Sequence, residues 1–465
     1  MTIISWNFLF FCLVGVIIYW LLPSRSRLTW LLFLSLLFSL SWGWFPTLLL
    51  LVLSLTTFFL AQRTRPERGK IPLFIGILLS LAVLIVFKSQ EFFILPLAQL
   101  TSLNEQTLNL LAPIGASFYT LQAISYLLDV SRGQLEAYKN PGAFILYLAY
   151  FPKLLSGPIE RARIFVPQLY APKAFDPDLL RNALGFISLG LLRKVVFADA
   201  LFSMIPKDMF WIQQKGMLTW LIAFAFALYN DFCGYTNMMQ GMSLLFGIEL
   251  SPNFRQPFFA RNFSEFWNRW HITLSHWLRD YIYFPVRRFL AKRFSSSATL
   301  VHISIPPMIT MLVSGLWHSR LETGVTHMLL WGGLHGAYQI AERLSFLWGQ
   351  NKPVRERSSA SQVLASLTVF ALVSLAWIPF QVGNSASIAS WMAMLNPDLL
   401  WVNMPQVAWI AAASLGIDAL QHYEATDLFF QKWSPWQRAF ATALLILLIF
   451  ISIRGSRPVF VYAGF

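Results

Sequence analysis

Long uncharged apolar runs recur along this chain and constrain its fold more than any other feature. Ile3–Leu22 and Ile71–Phe87 are each close to the length that crosses the hydrocarbon core of a bilayer as a helix. Thr29–Ala61 carries no charge and is too long for one span, so the Gly and Pro residues at 41–46 predict a turn between two helices. The pattern predicts an all-α polytopic membrane protein, because helices satisfy their own backbone hydrogen bonds in lipid.

The composition agrees with that prediction. The 465 residues are 57% hydrophobic and only 12% charged, whereas a soluble protein has about 25% charged residues. We expect one transmembrane domain over residues 1–465, with about 11–12 spanning helices of roughly 20 residues each. Re-entrant or interfacial helices around a central funnel or tunnel complete the predicted fold class.

The net charge of +14 predicts a membrane partner rather than nucleic acid. The basic residues form short clusters, such as residues 23–27 and 63–70, on either side of an uncharged turn. Under the positive-inside rule these clusters face the cytoplasm, so the N-terminus is expected to be extracytoplasmic, with lipid as the surrounding partner. The first apolar run lacks a basic leader segment and is interpreted as a retained helix. Cys12 and Cys233 are interpreted as small buried residues.

Several membrane-depth segments contain residues that interrupt a helix or carry charge. Leu108–Val130 contains Pro113 and Gly115, and a second break is predicted near Pro158. Such breaks are tolerated where they are buried in protein or line a cavity. Asp231 lies in the apolar run Thr219–Phe246, where a carboxylate indicates either a substrate site or a structural ion pair.

The stretch Arg261–Phe289 is too polar to cross a bilayer and too aromatic for an ordinary loop, and six of the seven histidines lie between His271 and His335. On a helical wheel, the aromatic residues of Phe263–Phe284 form one broad stripe, which predicts an amphipathic helix over this range that lies partly in the membrane plane. His271 then lies at the border of that stripe near Asn268, a position suited to lining a cavity.

A second histidine of this stretch, His276, precedes Asp280 by four positions. Soluble glycerolipid acyltransferases place one more residue between their His and Asp, so the spacing here is interpreted as a helix pair. His271 and His276 point too far apart on a helix to share a metal, and no metal site is predicted.

His318 ends a separate apolar run, directly after Trp317. A buried imidazole stays neutral and can accept a proton from a hydroxyl that attacks an acyl carbonyl. The alternative is a core histidine bonded to a backbone carbonyl, and the residues alone leave both open. There is no Gly-rich phosphate loop and no Gly-x-Ser-x-Gly motif.

These motifs together resemble a known family. Residues 261–283 read Arg-Asn-Phe-x-Glu-Phe-Trp-x-Arg-Trp-His-Ile-x-Leu-Ser-x-Trp-Leu-Arg-Asp-Tyr-Ile-Tyr, and they are followed by Leu-Trp-His at 316–318 and Leu-His-Gly at 334–336. This order resembles the membrane-bound O-acyltransferase family, in particular its bacterial branch of alginate O-acetyltransferase membrane subunits and teichoic acid D-alanyl transferases. The likeness covers most of residues 1–345, with a recognisable core at about residues 110–345, and residues 346–465 are generic C-terminal transmembrane helices.

The resemblance implies an enzyme of the bacterial inner membrane. It would move an acetyl or other short acyl group from a cytoplasmic thioester such as acetyl-CoA, with no bound cofactor, to a hydroxyl of an exported polysaccharide. A periplasmic partner resembling an acetyltransferase or esterase is implied as well. The family's essential histidine corresponds to His318, and its second motif histidine to His271.

The chain departs from the family pattern at two points. Ser319 follows His318 where relatives have Gly, and the interval to His335 is longer, with Arg320 and Glu322 inserted. His335 is interpreted either as a partner of the site or as a packing residue, with packing favoured.

The expected mechanism has neutral His318 deprotonating the acceptor hydroxyl inside the tunnel, while His271 or Asn268 stabilises the oxyanion. Asp231, Trp317 and His335 are further candidates for lining the substrate path. Two alternatives remain, a polytopic transporter and a non-catalytic membrane subunit of a polysaccharide-export complex.

Overall fold

The computed structural model describes residues 3–64, 70–89, 115–171, 174–205, 217–319, 324–349, 358–382 and 404–452. Within those ranges every regular element is a helix. Four of the described helices are long and apolar enough to cross a membrane: Trp44–Arg63, Thr299–His318, Ser359–Phe380 and Pro435–Ser452. The prediction of an all-α polytopic membrane protein is confirmed. The number of spans, the central funnel and the single-domain organisation stay predictions.

One compact unit consists of Met1–Ile187 together with Thr236–Ser251. Its helices include Trp6–Leu21, Ser24–Leu40, Trp44–Arg63, Ile71–Lys88, Ala116–Ser131, Pro141–Ala149, Phe151–Leu154 and Ala162–Tyr170. The turn predicted within Thr29–Ala61 is present, and Gly43 precedes the next helix with φ 145°. A side chain is strained in that conformation, which is why glycine occupies the turn.

The helix interruptions predicted in this unit are found where the structure describes them. Gly115 has φ 75°, and a Cβ there would lie 2.1 Å from the Leu154 carbonyl oxygen, so only glycine fits before the Ala116 helix begins. Pro113 lies outside the described residues. The chain also leaves the helix after Leu154 and runs through Pro158 without regular structure.

Protein groups occupy the surroundings of the second break. Buried Lys153 donates to the Gln122 side-chain oxygen and to the Tyr147 carbonyl. Glu160, also buried, accepts from the Ser251 amide at 2.6 Å. The polar groups of this break are therefore satisfied by the protein itself, as membrane depth requires.

The second unit consists of Ser188–Tyr235 together with Pro252–Phe465. The helices Pro177–Leu191 and Met217–Leu244 each contain residues of both units. Its other principal helices are Asp199–Met204, Phe263–Trp267, Ile272–Leu278, Phe284–Arg293, Thr299–His318, Thr326–Gly349, Ser359–Val382, Met404–Glu424 and Pro435–Ser452. Two π-helical stretches, Leu192–Ala198 and Arg279–Tyr283, interrupt the regular pattern. Both motif histidines lie in this unit.

Candidate active site

The stretch that contains the Arg-Trp-His motif is not one helix. A helix runs over Phe263–Trp267, capped by the Asn262 side chain, and a second begins only at Ile272. Between them His271 adopts the left-handed conformation, with φ 42° and ψ 52°, which non-glycine residues rarely take. The prediction of a single amphipathic helix over Phe263–Phe284 is therefore wrong.

Hydrogen bonds to a preceding segment hold this break open. The Ile272 amide donates to the Asn253 carbonyl at 2.9 Å. The Thr273 hydroxyl donates to the Asn253 side-chain oxygen at 2.6 Å. These partners lie outside the helix and replace the backbone hydrogen bonds that a continuous helix would make. The residue pattern of the stretch itself does not predict them.

The break turns His271 into the protein interior, where its side chain is 1% exposed. Its ring lies 4.8 Å from the Phe232 ring, centroid to centroid, and 6.3 Å from the Trp317 ring, both in edge-on geometry. The second motif histidine is thus buried among aromatic rings and not placed at a membrane interface.

His318 ends the helix Thr299–His318 and is also buried, with 3% of its side chain exposed. Its Nδ1 lies 2.8 Å from the Ser314 carbonyl oxygen, one helical turn earlier. A carbonyl can only accept, so Nδ1 is the donor, and in the neutral form of the ring the lone pair is then on Nε2. The backbone therefore orients this ring and selects the tautomer that can act as a base through Nε2.

The two motif histidines meet at one aromatic cluster. Trp317 contacts His271 on one side and His318 on the other, with ring centroids 6.3 and 4.6 Å away. Trp331 and Phe380 lie against His318 at 5.2 and 5.8 Å. This places the sequence-predicted residues His271, Trp317 and His318 in one buried environment, where electrostatic interactions are stronger than in water.

His335 extends the same cluster. Its side chain is fully buried and lies 5.0 Å from both the Trp331 and Trp267 rings. Within the described part of the chain neither of its ring nitrogens has a hydrogen-bond partner. Among the described residues, Trp331 contacts both His335 and His318. This arrangement fits the packing interpretation better than a direct role in proton transfer.

Asn268 lies elsewhere. Its side chain is exposed, at the end of the Phe263–Trp267 helix, and lines a groove of about 170 Å³ together with His276 and Arg343. Of the described residues that line this groove, none belongs to the cluster around Trp317 and His318 apart from Trp267. Its predicted contribution to the oxyanion stays a prediction, without a contact to His318 that supports it.

Asp231 forms a structural ion pair, which was one of the two interpretations of a carboxylate in this apolar run. Lys194 lies within the π-helical stretch Leu192–Ala198, and its Nζ is 2.7 Å from the Asp231 carboxylate. The same ammonium lies 2.8 Å from Asp199. Both partners of the first pair are buried, so the pair satisfies charges that would be costly alone.

Sequence reasoning missed two parts of this unit. The aromatic shell formed by Phe232, Trp331 and Phe380 gave no signal, because aromatic residues are frequent throughout the chain. The second is a buried pair between Arg193 and Asp418, with 2.6 Å between Arg193 Nη2 and the carboxylate. The sequence does indicate this pair, because each of the two charged residues interrupts an apolar run.

Comparison with known proteins decides the family. Residues 5–379 match the membrane-bound O-acyltransferase family. The chain belongs to that family. It is therefore an O-acyltransferase of the membrane, and the resemblance drawn from the motifs is confirmed.

The names of three relatives in the membrane-bound O-acyltransferase family refer to different polymers. A probable alginate O-acetylase of Azotobacter vinelandii is 31% identical over 378 residues, which cover 79% of this chain and 72% of the relative. A peptidoglycan O-acetyltransferase of Helicobacter pylori is 30% identical, covering 80% and 75%. A teichoic acid D-alanyltransferase of Bacillus subtilis is 26% identical, covering 58% and 69%.

Proposed function

We propose that this enzyme transfers an acetyl or other short acyl group from a cytoplasmic thioester, such as acetyl-CoA, to a hydroxyl of an exported polysaccharide. The relatives named for alginate and peptidoglycan O-acetylation support the acetyl group and the polymeric acceptor. The family supports an acyl donor in general, and the thioester is part of the proposal.

One observation carries the mechanism: the hydrogen bond between His318 Nδ1 and the Ser314 carbonyl. It leaves Nε2 as the basic nitrogen of a buried, neutral ring. Nε2 takes the proton of the acceptor hydroxyl while the oxygen attacks the thioester carbonyl. The tetrahedral intermediate then collapses, the carbon–sulfur bond breaks, and the imidazolium returns its proton to the leaving thiolate.

The oxyanion of that intermediate needs a hydrogen-bond donor. His271 shares the Trp317 ring with His318, whereas Asn268 lines a different groove. We therefore assign oxyanion stabilisation to His271 in preference to Asn268. Replacing His271 with Ala is expected to reduce acyl transfer less than replacing His318, or to weaken substrate binding.

The central test is His318→Ala in purified protein reconstituted into lipid, with transfer of labelled acetyl from acetyl-CoA as the readout. Loss of general-base catalysis reduces the rate about 10²- to 10⁴-fold. His302→Ala is the matched control, because His302 lies on the same helix and bonds a carbonyl outside the cluster. Its activity should equal that of the wild type.

The assignment of His318 fails if His318→Ala inserts, unfolds at the wild-type temperature and still transfers acetyl at the wild-type rate. His318→Gln provides a second variant of similar size that cannot act as a base. The departure at Ser319 raised the alternative of a non-catalytic scaffold. Under that alternative neither the wild type nor any variant shows histidine-dependent acyl transfer.

The topology and partners belong to the same proposal. The N-terminus is placed outside the cytoplasm, with the basic segments at residues 23–27 and 63–70 inside. The acceptor polymer is then acylated on the extracytoplasmic side, with a periplasmic protein as the partner of this enzyme. Cysteine labelling from either side of intact cells, at engineered positions in these loops, measures the topology directly.

A further inference from the structure

A large groove in the second unit lies outside the histidine cluster. It has a volume of about 640 Å³, within the range of small-molecule sites, and three helices form most of its wall. These are Met217–Leu244, Ser359–Val382 and Met404–Glu424.

One face of each bounding helix lines the groove. On Ser359–Val382 the lining residues run from Ser359 to Phe370 at helical spacing, which corresponds to a length of roughly 16 Å at the α-helical rise. On Met404–Glu424 they run from Met404 to His422, with alanines at 408, 411 and 412. Small residues keep the space between the helices open.

The two ends of the groove differ in chemistry. The polar and charged lining residues include Ser359 and Gln362 in the first turn of one bounding helix and His422 in the last turn of another, together with Arg261 and Arg269. Apolar residues line the other end, namely Ile222, Phe226, Phe370, Met404 and Ala408, and the Phe226 and Phe370 rings lie 5.8 Å apart. The groove is therefore amphipathic along its length.

The polar end carries positive charge. Arg269 is paired with Glu265, with 2.7 Å between Nη2 and the carboxylate. The exposed Arg261 has its backbone amide bonded to the Glu265 carboxylate at 2.8 Å, while its guanidinium makes no ion pair with a described residue. No acidic side chain is among the described residues lining the groove. An anionic group is the electrostatic complement of this end.

The helices that bound the groove also carry exposed apolar side chains. Val363, Leu364 and Leu367 on the Ser359–Val382 helix are each more than half exposed, as is Trp409 on the neighbouring helix. Ser359–Phe380 is apolar enough to span a membrane, so these side chains face acyl chains.

We infer that the groove holds one anionic phospholipid, with its phosphate at Arg261 and an acyl chain along the Ser359–Phe370 face. Basic pockets beside transmembrane helices recognise the headgroups of anionic lipids in this way. The Phe258 wall separates the groove from Trp270 and the histidine cluster, with ring centroids 6.4 Å apart. The site is therefore distinct from the proposed acyl-transfer site.

The test is native mass spectrometry of detergent-purified, delipidated protein titrated with phosphatidylglycerol or phosphatidylethanolamine. We expect preferential binding of phosphatidylglycerol. Arg261→Gln should weaken phosphatidylglycerol binding about fivefold, as loss of one arginine at an anionic headgroup predicts, and leave phosphatidylethanolamine unchanged. Ala408→Phe, which fills the apolar end, should weaken binding of both lipids.

Matched controls are Arg288→Gln, on a basic helix outside the groove, and Ala413→Phe, an exposed alanine on the same helix as Ala408. Neither should change lipid binding. The proposal is overturned if wild-type protein shows no preference for phosphatidylglycerol, if Arg288→Gln matches Arg261→Gln, or if inorganic phosphate or acetyl-CoA displaces the lipid. The measurement needs neither donor nor acceptor, so it stands apart from the test of acyl transfer.

Discussion

His335 differs from His318 in what its ring nitrogens contact. His318 has a backbone carbonyl that orients it, whereas the buried His335 ring lies among Trp267, Trp331 and Phe266 without a hydrogen bond in the described chain. An apolar ring of similar shape can replace a polar group that makes no hydrogen bond at little cost.

His335→Phe is therefore expected to keep the wild-type unfolding temperature within a few degrees and to retain acyl transfer. His335→Ala leaves a cavity and should lower stability by about 2 kcal/mol or more. Thermal unfolding in detergent and the acetyl-transfer assay measure the two effects. A stable but inactive His335→Phe variant would contradict the packing role and assign His335 a part in proton transfer.

At the scale of helices, the position of His318 depends on close packing of Thr299–His318 against Thr326–Gly349. A Cβ at Gly315 would lie 2.2 Å from the Met328 carbonyl oxygen, and one at Gly332 would lie 2.4 Å from that of Met311. Small residues at such crossings let membrane helices approach closely. Since Trp331 precedes Gly332, this crossing also sets the distance between Trp331 and His318.

Gly332→Ala should separate the two helices and lower stability by about 1–3 kcal/mol, the usual cost of overpacking. It should also reduce acyl transfer, because the ring that contacts His318 moves with the helix. Gly333→Ala is the matched control, since nothing lies within 4 Å of a Cβ at Gly333. That control is expected to be neutral or stabilising by up to about 1 kcal/mol. Equal effects of the two substitutions on unfolding temperature and activity would show that the close crossing is not the cause.

At the scale of the whole chain, the region beyond the family match is tied into the second unit by a buried polar network. Asp418, on Met404–Glu424, lies 2.6 Å from Arg193 Nη2 and accepts from the Tyr229 hydroxyl at 2.9 Å. Neither the Arg193 nor the Asp418 side chain is exposed. The family match ends at residue 379, so this helix lies beyond the matched residues, and we expect its attachment to depend on the charge pair.

Asp418→Ala leaves the Arg193 charge buried without its partner and should lower stability by about 3–5 kcal/mol. Glu424 lies on the same helix and pairs with Lys432, which is largely exposed. Glu424→Gln removes that pair and should lower the stability by at most about 1 kcal/mol. Arg193→Met combined with Asp418→Leu should recover much of the loss, because two apolar side chains then replace the pair. Thermal unfolding of the reconstituted variants distinguishes these outcomes, and an Asp418→Ala protein as stable as Glu424→Gln would contradict the role of the network.

The fold class and the family could be read from the sequence because both depend on local patterns. Runs of apolar residues near membrane length predict helices whatever their neighbours are, and the turn at Gly43 follows from glycine's conformational freedom. His271 and His318 were selected from motif and position, and the structure brings both against Trp317.

Tertiary contacts decided the rest. The helix break at His271 depends on hydrogen bonds to Asn253. The His335 ring packs against Trp267 and Trp331. Asp231 is held in an ion pair by Lys194. Trp331 lies one turn before His335 on the same helix, but Asn253, Trp267 and Lys194 are far along the chain from the residues they contact. Periodicity describes which residues share a face of one element, whereas a site is assembled by what packs against that face, and only the folded chain determines those neighbours.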